Sequence, residues 1–127
     1  MDFCEMLEKS DFFAGMHGVN EDIIRAAEIQ LGNSFSREYR EYLLKYGVAS
    51  IKGHEFFGLG ASQRLDVVYN TLELRQENIN IGDGFYVVEH LGIDGIVILQ
   101  NTSGEVYDLK FDQKPQKICD SLASYIR

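Results

Sequence analysis

The chain has 127 residues, 45% hydrophobic and 25% charged, a globular balance that fits one domain with a real core and excludes a disordered or fibrous class. Its formal net charge of −8, from 20 acidic and 12 basic side chains, argues against direct binding of a nucleic-acid backbone, which needs clustered lysine and arginine. No apolar run approaches the roughly 18 residues that would span a bilayer, so no membrane role is expected.

The opening stretch MDFCEMLEKSDFF is acidic and broken by charge every few residues. It lacks the basic flank and apolar centre of a secretion signal, so the expectation is a cytoplasmic protein whose two cysteines, Cys4 and Cys119, are reduced thiols. NEDIIRAAEIQLG predicts a helix with Asn20 as N-cap, Glu21 and Asp22 at the positive end of its dipole and Gly32 just past its end. Ile23, Ile24, Ala27 and Leu31 are its expected apolar face. FSREYREYLLKYG predicts a second helix, capped by Ser36 and closed by Gly47, in which Tyr39, Tyr42, Leu43 and Tyr46 fall on one stripe. Those tyrosines are read as core residues with a polar tip near water.

ASIKGHEFFGLG reads as two short strands around a tight turn. LDVVYNTLELRQEN returns to helical spacing through Leu65, Val68 and Leu72, with Gln76 as an optional continuation and Asp66 near its start. GDGFYVVEHLG, DGIVILQN and GEVYDLKF are three β-rich runs separated by turn residues, as in antiparallel hairpins. In the last run Tyr107, Leu109 and Phe111 alternate with Val106, Asp108 and Lys110, which predicts one buried face and one wet face. KICDSLASYIR predicts a closing amphipathic helix through Ile118, Leu122 and either Tyr125 or Ile126. The expected fold is α+β: one domain over 1–127, with a mainly antiparallel sheet of about four to six strands covered by N-terminal, central and C-terminal helices.

Chemistry is harder to find. GLGASQ has the first two glycines of a phosphate loop, at Gly58 and Gly60, but Gln63 stands where the third belongs and no Lys-Ser/Thr follows. His17, His54 and His90 have no neighbour at metal-ligand spacing. Neither Cys4 nor Cys119 has a recognisable nucleophile flank, and Glu21 and Asp22 are explained by a helix start. The NTS at Asn101 reads as a hairpin turn. The expectation is a protein that is not an enzyme, with no catalytic residue, no cofactor and no metal.

The stretch IIRAAEIQLGNSFSREYREYLLKYG resembles the helix pair that opens members of the SUKH superfamily, the Smi/Knr group named after yeast cell-wall assembly regulators. GHEFFGLG is similar to the strand pair that follows there, DGIVILQNTSGEVYDLKF to the late strands, and SLASYI to the closing helix, so the likeness spans Val19 to Ile126. Ser36 stands where the family usually has proline, and the tryptophan-containing segment of many members is missing. The resemblance implies an immunity protein that binds a cognate secreted toxin and blocks it without catalysis, nuclease toxins being common targets. The alternative it implies is a regulatory or scaffold module in cell-wall assembly.

Acidity is densest over residues 79–113, where six acidic side chains stand against the single Lys110. Such a surface serves solubility or a basic partner, whose encounter it would accelerate. For a basic toxin domain the candidate partner-binding residues are Glu55 in the early hairpin, Glu89 in a strand, Asp83, Asp94 and Asp112 at turns or strand ends, and Asp108 on the face opposite Tyr107 and Leu109. One sheet is expected to gather all six.

Overall fold

The structure, a computed structural model, describes residues 1–77, 81–92, 95–110 and 112–127. Asp94 and Phe111 lie outside the described residues. The elements in chain order are α1 (Phe3–Glu8), β1 (Ala14–Gly15), α2 (Glu21–Leu31), α3 (Arg37–Lys45), β2 (Ala49–Ile51), β3 (His54–Phe56), a 3-10 turn (Gln63–Leu65), α4 (Val67–Glu77), β4 (Phe85–His90), β5 (Val97–Asn101), β6 (Val106–Leu109), β7 (Gln116–Cys119) and α5 (Leu122–Tyr125). This is an α+β fold. Its strands are antiparallel throughout, in sheets ordered β1-β2-β3 and β4-β5-β6-β7. The two sheets meet along β3 and β4, where the Phe57 N–H donates to the Val88 carbonyl at 2.9 Å.

The helix α3 is the centre of the packing. Ser36 caps it through the Tyr39 N–H, Glu38 stands in its first turn and Lys45 in its last. Its predicted stripe is buried at Tyr39, Tyr42 and Leu43, while Tyr46 is half-buried against Phe13. The expected polar tips near water are absent at two of these rings. The Tyr39 hydroxyl donates to the Phe57 carbonyl at 2.6 Å and the Tyr42 hydroxyl to the Phe56 carbonyl at 3.1 Å. Tyr42 also accepts the Ala49 N–H at 3.0 Å, so α3 holds the backbone of β2 and β3 through its own side chains. Burial pushes both phenols well above their ordinary range, keeping them neutral donors.

The glycines of the GLG stretch answer to close packing. Leu59 N–H donates to the Gly47 carbonyl at 3.1 Å, and a methyl group on Gly58 would overlap that carbonyl oxygen. Gly47 itself sits at φ 71°, with the Leu59 carbonyl oxygen 2.6 Å from where a Cβ would be. Two glycines are needed because two backbones touch.

Three expectations are corrected. In α4 the buried face is Val67, Val68 and Thr71, and Leu72 is exposed. Thr71 sets that phase: its hydroxyl donates to the Val67 carbonyl and accepts the Val87 N–H at 2.9 Å, docking the helix on β4. The predicted C-terminal helix begins later, because residues 116–119 pair with the edge of β6 and leave Ile118 43% exposed. Ser121 then caps a single turn, accepting the Ser124 N–H at 3.0 Å. In β6 the wet face is missing, since Val106 and Leu109 lie on opposite faces and both are buried. They flank β5, whose Val97, Ile98, Leu99 and Gln100 are buried on both sides.

The helix α1 leaves no trace in the hydrophobic pattern of so short a stretch. Its signal is local: Asp2 accepts the Glu5 N–H at 2.9 Å while Glu5 accepts the Asp2 N–H at 3.2 Å, a complete capping box. It places Phe3 against Tyr42 and Phe56. On α2, Ile24, Ala27 and Leu31 are buried as expected, but Ile23 faces solvent.

Leu43→Ala is expected to cost about 2–5 kcal/mol in a denaturant titration, as truncations in packed cores do. Gly58→Ala should also destabilise, since no side-chain movement relieves an overlap with a backbone oxygen; an unchanged midpoint would show that the two loops are not in contact.

Candidate partner-binding surface

The five candidate acids among the described residues do not share one surface. Glu55 is exposed on β3, its carboxylate gripped by the Arg64 guanidinium at 2.7 and 3.2 Å, which holds it below the usual carboxylate range. Asp83 and Asp112 are exposed, the latter at φ 60°. Asp108 is half-buried, because it pairs with Ile98 and so points to the covered side of the sheet. Glu55 lies in the three-stranded sheet, whereas Glu89 and Asp108 lie in the other.

Glu89 is the clearest correction. It is 1% exposed and unable to reach a partner. Its carboxylate accepts the Tyr125 hydroxyl at 2.6 Å and the Glu55 N–H at 3.1 Å, and lies 3.1 Å from the His54 Nδ1. His54 is stacked on Phe56 and edge-on to Tyr125. One side chain on β4 thus ties β3 and α5 to the four-stranded sheet. Sequence alternation could not show this, because the irregular register between Val87 and Glu89 turns the strand at that point.

A different set of acids comes together. An open cleft of about 330 Å³ lies between the start of α3, the N-terminus of α1, the 103–104 turn and the approach to α5. Asp2, Glu38, Glu41 and Asp120 line it, with Arg37 as its one cation among the described residues. Glu38 holds the fold together there, accepting the Leu122 and Ala123 N–H groups at 2.7 and 3.1 Å and the Gln100 amide at 2.9 Å. Asp2, Glu41 and Asp120 are the exposed carboxylates. Arg37 approaches Glu41 only to 3.5 Å, and the Asp120 side chain, 84% exposed, pairs with the Lys117 Nζ at 2.7 Å. These residues come from the N-terminus, from α3 and from the approach to α5, so no segment count of charge could group them.

The thiols are poorly placed for nucleophilic work. Burial pushes the Cys4 thiol up to about 11, and burial likewise raises Cys119 on β7. Among the described residues no three His, Cys, Asp or Glu side chains are grouped to hold a metal ion. Nor is any described helix long and apolar enough to cross a membrane.

The helix pair, the hairpin and the late strands occur in the order that the resemblance implies. A family model described as SUKH_6, SMI1-KNR4 cell-wall, matches residues 21–126. The chain belongs to this family. No curated protein matches it. The SUKH_6 match starts at the first residue of α2, so the Glu89 cluster and three walls of the acidic cleft lie inside it, while Asp2 comes from the preceding segment.

Glu89→Ala is expected to destabilise more than Tyr125→Phe, since it strands the Glu55 N–H and the Tyr125 hydroxyl together, at about 1–3 kcal/mol for each buried group left unpaired. Equal midpoints for the two variants would mean that the carboxylate is not the hub. In native protein at neutral pH, Cys4 should resist alkylation until the chain unfolds, a protection that mass spectrometry of labelled peptides would read.

Proposed function

We propose that this protein is an immunity protein, which binds a basic toxin domain and blocks it by occupation, without catalysis. The observation that carries the reading is the acidic cleft in a SUKH-family chain: four carboxylates from three segments of the chain surround an open space of about 330 Å³ with one arginine among them. A toxin that acts on nucleic acid needs a positive groove, and a negative surface fits it while speeding encounter at long range. Asp83 and Asp112 are further exposed carboxylates outside the cleft lining. The family description, with its reference to the cell wall, favours a second reading, a regulatory module in cell-wall assembly.

The test begins with the gene beside this one. A toxic, basic domain encoded there should be neutralised when the two are produced together, and should bind the purified chain. Glu41→Lys with Asp120→Lys should slow association by about tenfold at low salt and less at high salt, with the circular dichroism spectrum unchanged. Association that ignores both salt and these reversals would remove the cleft from the interface. Wild-type binding to cell-wall assembly proteins, with no toxin alongside, would favour the regulatory reading.

A further inference from the structure

One carboxylate of the acidic cleft is already answered by a cation of the chain itself. Lys117 on β7 stands outside the lining, yet its Nζ lies 2.7 Å from Asp120 and 2.8 Å from Glu105. The two carboxylates are held differently. Glu105 is fixed in place, since its carboxylate accepts the Asn101 amide at 3.0 Å while its own N–H donates to the Asn101 Oδ1 at 3.0 Å. The Asp120 side chain has no partner but Lys117 among the described residues.

An ammonium so placed has two positions, bridging both carboxylates or resting on Glu105 alone, and the second leaves Asp120 open to the cleft. Passing from one to the other keeps one ion pair and needs only rotation of a long, 43% exposed side chain, so the two states differ little in energy. Asp120, and after it Glu105, hold the Lys117 ammonium above its ordinary range, which keeps it charged at neutral pH. We propose that Lys117 is a built-in competitor for the partner's cation: it neutralises Asp120 in the free protein and withdraws to Glu105 when an arginine of the partner takes its place. Arginine is the side chain that wins this exchange, because its planar fork offers the carboxylate two parallel hydrogen bonds where Lys117 offers a point charge. A surface that brings no cation to Asp120 meets a neutralised rim, so the lysine adds selectivity. The inference rests on the reading of the cleft as a cation-receiving surface and names the residue that tunes it.

A tetra-arginine peptide is the probe, titrated into the full chain at low salt and followed through the backbone amide shifts of Ser103, Gly104, Asp120 and Ser121, which border the cleft. Lys117→Gln should tighten binding there by about two- to fivefold, the weight of an exposed ion pair. A merely structural lysine would weaken it when removed. Lys117→Arg should not tighten binding, and Lys114→Gln, which takes the same formal charge from an exposed lysine outside the lining, should have less than half the effect. With Asp120→Asn in place, Lys117→Gln should lose most of its effect, the signature of coupling between the two positions. The proposal is overturned if the two glutamine variants act alike, if the gain survives Asp120→Asn, if Lys117→Arg tightens binding, or if the peptide's shifts fall outside the cleft. The titration uses no toxin, so if it succeeds while neutralisation fails, the role of Lys117 stands and the immunity reading falls.

Discussion

Two phenol hydroxyls on one helix hold the molecule together. Tyr39 and Tyr42 project from α3 into the buried core and end on the carbonyls of Phe57 and Phe56, where the chain leaves β3. Those carbonyls would otherwise be buried acceptors with a desolvation cost, and the hydroxyls would be buried donors; each satisfies the other. The rings supply apolar area as well, with Tyr39 5.0 Å from Tyr86 and 5.3 Å from Tyr42 between centroids. Directional bonds and bulk come from the same side chains, so the position of β3 relative to α3 is fixed in orientation as well as in depth.

From that anchor the polar core continues to the second sheet. Tyr86 on β4 accepts the Ser36 N–H at 2.9 Å and donates to Gln100, which also accepts the Ser36 hydroxyl. Gln100 is fully buried, yet its amide reaches Glu38 and the Gly104 carbonyl, so both ends are satisfied. The start of α3 is therefore cross-linked to β4, β5 and α5 by side chains whose hydrogen bonds close on one another, an arrangement that favours one packing over its near alternatives. The acidic cleft opens directly above this network. Its outline rests on the best-connected part of the fold.

Much of this is readable in the residues. The caps at Asn20 and Ser36 and the stripe at Tyr39, Tyr42 and Leu43 all express local rules, and those hold where an element is long and periodic. The pattern misleads where an element's environment, not its own sequence, chooses the face. Leu72 loses to Thr71 because a hydroxyl can bond β4, and Ile118 joins a strand because β6 has an edge to offer. The site is less legible still. Acidity counted along the chain points to Glu89 and Asp108, which the fold turns inward, whereas Asp2, Glu41 and Asp120 meet only in three dimensions.

The segment before α2 lies outside the span that the SUKH_6 model matches, yet Phe3 and Leu7 are buried in the same cluster as Tyr42 and Phe56. Lys45 reaches back to Glu8 at 2.6 Å, and β1 takes the flank of β2. A boundary drawn by family likeness therefore cuts through a continuous interior. For this chain the first twenty residues are masonry in the wall, and the unit that inheritance recognises is smaller than the unit that solvent sees.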